Sequence, residues 1–205
     1  MPPKWLDWAQ RLQAIAQSGL AYDPHLYDRE RYEAVRDIAA EIMASESGGS
    51  VEQFHDLFAT QAGYATPKVD LRGVVFRDDR ILLVREREDG SWTLPGGWAD
   101  VGESPSDGVV REVREESGYE TRVVKLVAFY DRNRHGHPPF PFHAYKVFFL
   151  CELIGGAPAH SGETSGVNWF AEDRLPPLSL TRVVESQIHR FFEHARHPEW
   201  PADFD

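Results

Sequence analysis

The periodicity of the apolar residues changes once along this chain, at Gly63–Pro67, and that change limits the fold more than any other feature. Upstream, apolar side chains recur every three or four residues. Trp5, Trp8, Leu12 and Ile15 make one stripe. Tyr32, Val35, Ile38 and Ile42 make another, in a segment that begins near Asp23–Pro24. That is the period of helices with one buried face. The run Ser45–Ser50 (Ser-Glu-Ser-Gly-Gly-Ser) reads as a loop. Ser50 and Gln53 have capping-box spacing, which starts a short third helix carrying Phe54, Leu57 and Phe58. The expectation is a three-helix module over 1–66 with Trp5 and Trp8 in its core. Such a module has a small core of its own, so it is expected to pack on a larger domain or to serve dimerisation or substrate gating.

Downstream the pattern is that of strands. Val69–Phe76 and Ile81–Arg85 flank the turn Arg77-Asp78-Asp79-Arg80, and a short extended piece, Trp92–Leu94, ends at Pro95-Gly96-Gly97. Ser104 followed by Pro105 starts a helix with a hydroxyl cap and a proline in its first turn. That helix runs to Ser117, where Gly118 is placed to end it. Thr121–Tyr130, Ala144–Leu153 and Val167–Phe170 read as further strands, and Val183–Ala195 as a helix with Ile188, Phe191 and Phe192 on one side. Residues 67–205 therefore read as an α+β domain. The segment Asp131–His143, rich in His, Pro and Arg, reads as a long loop, and loops of that length are usually functional or disordered.

Composition narrows the partners. With 205 residues, 41% of them hydrophobic and 16 of them glycine, the chain is in the ordinary globular range. Its longest apolar run, Val147–Cys151, is far too short to cross a bilayer, so no membrane partner is expected. A net charge of −11 argues against non-specific nucleic-acid binding, which is driven by cations that release counterions. A chain so acidic needs a divalent cation to hold phosphates. Cys151 is the one cysteine, expected to be buried and inert, so no intramolecular disulfide forms. Met1-Pro2-Pro3-Lys4-Trp5 does not read as a signal peptide, and a reducing cytoplasm is the expected location.

One stretch carries chemistry. Gly97-Trp98-Ala99-Asp100-Val101-Gly102-Glu103 is followed, after a short interval, by Arg111-Glu112-Val113-Arg114-Glu115-Glu116-Ser117-Gly118-Tyr119. On a helix, Glu112 shares a face with Glu115 and Glu116, and like charges so spaced are destabilising unless neutralised. Converging carboxylates are suited to a hard cation such as Mg²⁺. The plain alternative is a solvated charged face. Against it stand the definite helix start and stop and the preceding glycine turn, where backbone can approach a ligand closely. Arg111 and Glu103 can also pair, fixing the loop against the helix.

This stretch resembles the Nudix box, Gly-x5-Glu-x7-Arg-Glu-U-x-Glu-Glu-x-Gly-U, with U a bulky apolar residue. Gly97, Glu103, Arg111, Glu112, Val113, Glu115, Glu116, Gly118 and Tyr119 fill every defined place, with Tyr119 standing where an aliphatic side chain is more usual. The resemblance extends from about Lys68 to the C-terminal helix. It implies an α/β/α sandwich with a mixed sheet over 67–205, preceded by the small helical domain of 1–66. It also implies that Glu112, Glu115 and Glu116 bind metal, Mg²⁺ or Mn²⁺, with a carbonyl near Gly96 or Gly97 completing the shell. Glu103 and Arg111 match the pair that braces the loop. Glu163 matches a glutamate before the last strand that acts as metal ligand or general base; Glu116 is the other candidate base, and Glu115 would bridge metals.

The reaction so implied is hydrolysis of a nucleoside diphosphate linked to another moiety, with Arg72 or Arg85 stabilising the leaving oxygen. The layout as a whole resembles bacterial CDP-choline pyrophosphatases with an N-terminal helical domain, a branch whose members are often labelled ADP-ribose pyrophosphatases. That resemblance implies a homodimer. Trp92, Trp98, Tyr130, Phe140 and Phe142 are aromatics able to face a quaternary ammonium. Trp98, His135 and Phe142 join Arg72 and Arg85 as expected substrate contacts. Two alternatives are a nucleoside triphosphate pyrophosphohydrolase and a Nudix domain kept as a non-catalytic ligand sensor; the complete glutamate set argues against the sensor.

Overall fold

The computed structural model describes residues 2–159 and 161–205. The chain divides into two compact units, Met1–Pro67 with Pro139–His143, and Lys68–Pro138 with Ala144–Asp205.

The first unit holds α1 (Lys4–Ala21), α2 (Leu26–Ser47) and α3 (Val51–Ala59). Gly48 ends α2 in the left-handed conformation. Ser50 then caps α3, its hydroxyl accepting from the Gln53 N–H at 3.1 Å. The core is built from Leu6, Ala9, Ala39, Ala40, Met43, Phe54 and Phe58. This corrects the stripe read from sequence. The inner row of α1 is Leu6, Ala9, Gln13 and Ala16, while Trp8 and Ile15 are 54% and 56% exposed and Ile38 on α2 is 47% exposed. Alanines on the facing sides let α1 and α2 approach closely, so the small residues take the interior and part of the bulky stripe is left outside. Trp5 and Leu12 are half-buried at the edge of this core.

The predicted loop is not one piece. Arg132–Arg134 is a 3₁₀ turn in the second unit. Pro139–His143 belongs with the helices, where Phe142 packs its ring edge-on to Phe58 and the Phe140 carbonyl accepts from Gln10 Nε2 at 2.9 Å.

The second unit is a mixed sheet between helices. Its strands are β1 (Lys68–Arg77), β2 (Arg80–Glu86), β3 (Trp92–Thr93), β4 (Tyr119–Asp131), β5 (Ala144–Gly156), β6 (Thr164–Ala171) and β7 (Asp203–Phe204). Their order is β3-β2-β1-β5-β4-β7, with β6 on β2. β1 runs parallel to β5 from Lys68↔Ala144 to Val75↔Cys151, β4 is antiparallel to β5, and β7 is parallel to β4. Alternation along β1 gives each face its own core. Leu71 and Val75 meet Val109 and Val113 of α4 (Pro105–Ser117) on one side. Val74 joins Phe148 with Ile188, Phe191 and Phe192 of α5 (Glu185–Arg196) on the other. Helix, sheet and helix form three layers. Cys151 is buried in the first core, and burial pushes its thiol pKa up to about 12. Among the described residues no helix is long and apolar enough to cross a membrane.

Candidate active site

Local signals set α4 in place. The Ser104 hydroxyl accepts from the Asp107 N–H at 3.2 Å, Pro105 sits in the first turn, and Gly118 closes the helix with φ 76°. Gly73 of β1 lets the helix sit down on the sheet, because a Cβ there would lie 2.4 Å from Val113 Cγ2. The segment Pro95–Ala99 runs along β1 through three backbone bonds: Gly73 N to Pro95 O at 2.9 Å, Leu71 N to Gly97 O at 2.8 Å and Ala99 N to Val69 O at 2.9 Å. Gly96 adopts φ 144°, with its Cα pressed against the β1 backbone.

That approach brings a backbone N–H to α4. Glu116, only 5% exposed, accepts from the Gly96 N–H through Oε2 at 2.8 Å. Burial, reinforced by the charges of Glu86 and Glu112 and opposed by Arg72 and the Gly96 N–H, pushes its carboxyl pKa up to about 7. Glu112 is raised as well, by burial and by Glu115, against the pull of Arg111. Arg111 stands among the other acids. Its Nε lies 3.1 and 3.2 Å from the two Glu103 oxygens, its Nη1 2.8 Å from Glu112 and 3.0 Å from Glu115, and its Nη2 3.2 Å from Asp100. Glu115 is turned to solvent, its side chain 59% exposed, while Glu112 and Glu116 face inward.

Among the described residues no three Asp, Glu, His or Cys side chains are gathered to hold an ion. The donors are nevertheless of the kind a hard divalent cation takes, carboxylate oxygens beside closely approaching backbone. A Cβ on Gly97 would sit 3.1 Å from Glu112 Oε1. The Gly97 carbonyl, expected in the metal shell, already accepts from the Leu71 N–H, which commits one of its two lone pairs.

The remaining expected residues scatter. Arg72 is buried beside this site, bonded to Asp70 and to the Leu94 carbonyl. Arg85 is exposed and spends its Nε on Gly90 O at 2.7 Å, bracing the β2–β3 turn. Trp98, 48% exposed, forms a backbone bridge with Asp70. His135 is stacked on Tyr130 at 3.8 Å and reaches Asp205 at 3.0 Å, so its ring is occupied at the C-terminal end of the chain. Phe142 is spent on the core of the helical unit. Glu163 is exposed on the turn before β6, and its charge acts on Glu86.

Sequence reasoning missed Glu86, Asp70 and Lys146. Glu86 is 6% exposed, 3.1 Å from Arg182 through Oε1, and burial pushes its carboxyl up. The signal was present: each is a charged residue within or ending an apolar strand, where charges are rarely buried without a reason.

Comparison with known proteins agrees with this architecture. Residues 67–191 match the NUDIX domain model, and residues 3–58 match the model described as UDP-X-like, N-terminal oligomerisation domain. A Bacillus subtilis (strain 168) protein named "Putative ADP-ribose pyrophosphatase YjhB" is 48% identical over 202 residues, spanning 98% of this chain and 97% of that one. The crystal structure of a UDP-X diphosphatase superposes with TM-score 0.64 at 32% identity, covering 98% of both chains. That of an ADP-ribose pyrophosphatase from Streptococcus suis 89-1591 gives TM-score 0.63 at 41% identity, over 68% of this chain and 100% of that one. The layered fold, the capped acidic helix and these matches together place the chain in the Nudix family, as a Nudix pyrophosphohydrolase.

Proposed function

We propose that this protein is a Mg²⁺-dependent enzyme that cleaves the pyrophosphate of a nucleoside diphosphate linked to a second moiety, with ADP-ribose as the leading substrate, giving AMP and ribose 5-phosphate. The observation that carries the reading is Glu116, a buried carboxyl near neutrality, hydrogen-bonded to a strained glycine turn and flanked by Glu112 and Glu86. Clusters of perturbed carboxyls at the end of a rigid helix mark sites of acid–base and metal chemistry. Two relatives named for ADP-ribose, at 48% and 41% identity, support the substrate.

Glu112, Glu115 and Glu116 are the residues that would hold the ion, Glu112 and Glu115 by turning away from Arg111. When bound, Mg²⁺ supplies positive charge against the diphosphate and favours deprotonation of the attacking water. Glu116 accepts that proton, and Glu163 is the second candidate. Arg72 offers charge to a phosphoryl oxygen. Glu103 and Arg111 hold the loop against α4. CDP-choline is the comparison substrate: of the aromatics expected around its ammonium, Trp92 is packed on Phe170, Tyr130 on His135, and Phe142 on Phe58.

The oligomerisation domain matched by residues 3–58, together with the exposed Trp8 and Ile15, supports a homodimer formed through the helical unit.

The test is incubation with Mg²⁺ and, separately, ADP-ribose, CDP-choline and ATP, reading AMP or CMP release. ADP-ribose should turn over fastest. Glu116→Gln and Glu115→Gln should each lose turnover with the fold intact. Full turnover in both variants would refute the assigned face, and turnover of ATP alone would move the protein to triphosphate hydrolysis.

A further inference from the structure

Behind the acidic face, β1 and β5 bury a second set of charges. Asp70 stands opposite Lys146 across the parallel pair. Its two oxygens are divided: Oδ1 takes Arg72 Nε at 2.8 Å, and Oδ2 takes the Lys146 ammonium. The three side chains are 8%, 7% and 1% exposed, for Asp70, Arg72 and Lys146 respectively. Buried charges are normally balanced, because an uncompensated one is costly in a low dielectric. Here two cations share one carboxylate, and the trio carries a surplus positive charge. The second cation, Arg72, is set against the neighbouring acids Glu86, Glu112 and Glu116.

The surplus points toward the catalytic face. Arg72 spends Nη1 on the Leu94 carbonyl at 3.0 Å, while Nη2 has no protein acceptor among the described residues. Its charge acts on Glu86, Glu112 and Glu116. Arg72 and Glu116 also hold one short segment, by Leu94 O and Gly96 N–H respectively. The guanidinium therefore stands between the acids and the Asp70–Lys146 pair. Lys146 is faced by Asp70 and Arg72 from β1, by the charge of Arg132 after β4, and by the Phe148 ring on its own strand, with His137 in the same field. Burial, together with Arg72 and Arg132 and against the pull of Asp70, brings its ammonium down to about 8.

We propose that Arg72, held by Asp70 and backed by Lys146, forms a metal-independent subsite for a phosphoryl group at the edge of the glutamate face. This rests on the reading of the site as one that receives a diphosphate. Arg72 contacts the anion; Asp70 and Lys146 are positioning residues that fix the guanidinium and supply the net charge. Without Lys146 the remaining pair is neutral, so its removal weakens anion binding even though it touches no anion itself. The subsite also makes inorganic phosphate and nucleoside monophosphates competitive inhibitors of turnover.

The test is calorimetric titration of the full chain with inorganic phosphate in EDTA. Wild type should bind saturably, and affinity should fall as pH rises beyond about 8. Lys146→Met and Arg72→Gln should each weaken binding by about tenfold or more, the loss expected for a charge-assisted phosphate contact. Lys146→Arg should stay within about threefold of wild type and lose the alkaline decline, which a merely structural lysine would not produce. Glu115→Gln should bind phosphate as wild type does. Absence of saturable binding to wild type, or wild-type affinity in Arg72→Gln, overturns the proposal. Should Lys146→Met fail to fold, Arg72→Gln and the pH profile of Lys146→Arg decide it. The two readings fail separately: an inactive Glu115→Gln with unaltered phosphate binding in Arg72→Gln removes only the subsite. A fully active Glu115→Gln and Glu116→Gln with phosphate binding lost in Arg72→Gln removes only the metal face.

Discussion

Gly96 is the point where fold and chemistry depend on the same backbone, and Gly96→Ala tests that dependence. Its φ of 144° is a conformation that L side chains rarely adopt, and a Cβ there would lie 2.0 Å from Leu71 O and 2.9 Å from Arg72 Cα. Both atoms are backbone of a central strand, so relief must come from moving the Pro95–Ala99 segment off β1. Backbone strain of this kind costs about 1–3 kcal/mol. Moving the segment also weakens the Leu71–Gly97 and Gly73–Pro95 bonds and the charge-assisted bond from Gly96 to Glu116, the last worth about 1.5–3 kcal/mol. A total near 3–5 kcal/mol is expected, a large part of the stability of a typical domain. Denaturant unfolding followed by circular dichroism measures it as a fall in midpoint at constant slope. Turnover should fall further than stability at low temperature, because Glu116 loses the Gly96 N–H donor while α4 stays capped at both ends. A variant within about 0.5 kcal/mol of wild type that retains full turnover would refute the claim that this glycine is required by close approach and that it seats Glu116.

Other consequences follow from single contacts. Asp203 is held by Arg190 through two bonds at 2.6 and 2.9 Å, by the Tyr130 hydroxyl at 3.0 Å and by His194 at 3.1 Å, and its carboxyl is depressed chiefly by Arg190. A depressed folded-state pKa gives stability that is present above the unfolded value near ~3.9 and is lost as pH falls through the folded one. Asp203→Asn should therefore cost about 1–3 kcal/mol at pH 7, with the difference from wild type shrinking in acid; a constant difference down to pH 2 would contradict this. Ser104→Ala removes the cap on α4 and should cost about 1 kcal/mol in denaturant melts, with turnover nearly unchanged at low temperature. Trp8→Ser combined with Ile15→Ser should shift the protein toward monomer in sedimentation velocity without loss of helix content, since both side chains lie outside the core; an unchanged sedimentation coefficient would place any dimer elsewhere.

What could be read in advance, and what could not, follows the range of the interactions. The acidic helix α4 was legible to its ends because its signals are local. Ser104, Pro105 and Gly118 act on the backbone within one turn of themselves, and the structure has the helix at Pro105–Ser117. Six of the seven strands among the described residues were legible because apolar runs are a local consequence of a pleated chain with one or two buried faces; β7, two residues at Asp203–Phe204, carries no such run. The stripe on α1 misled because periodicity shows which residues share a face, not which face is inward. Alanines won that choice at Leu6-x-x-Ala9 and Ala39-Ala40 through helix–helix approach, which only the packed pair determines.

By itself, then, the sequence determined that there would be a helical module, an α+β domain, and one capped helix with its acids in register. Only the tertiary structure decided how those acids are used. Arg111 draws Glu103, Glu112 and Glu115 to itself, and Glu116 is sealed under a glycine turn from β1's flank. Asp70 meets Lys146, and Glu86 meets Arg182, across long stretches of chain. Burial and the fields of distant charges shift these carboxyls and amines, and those quantities exist only once the strands have met.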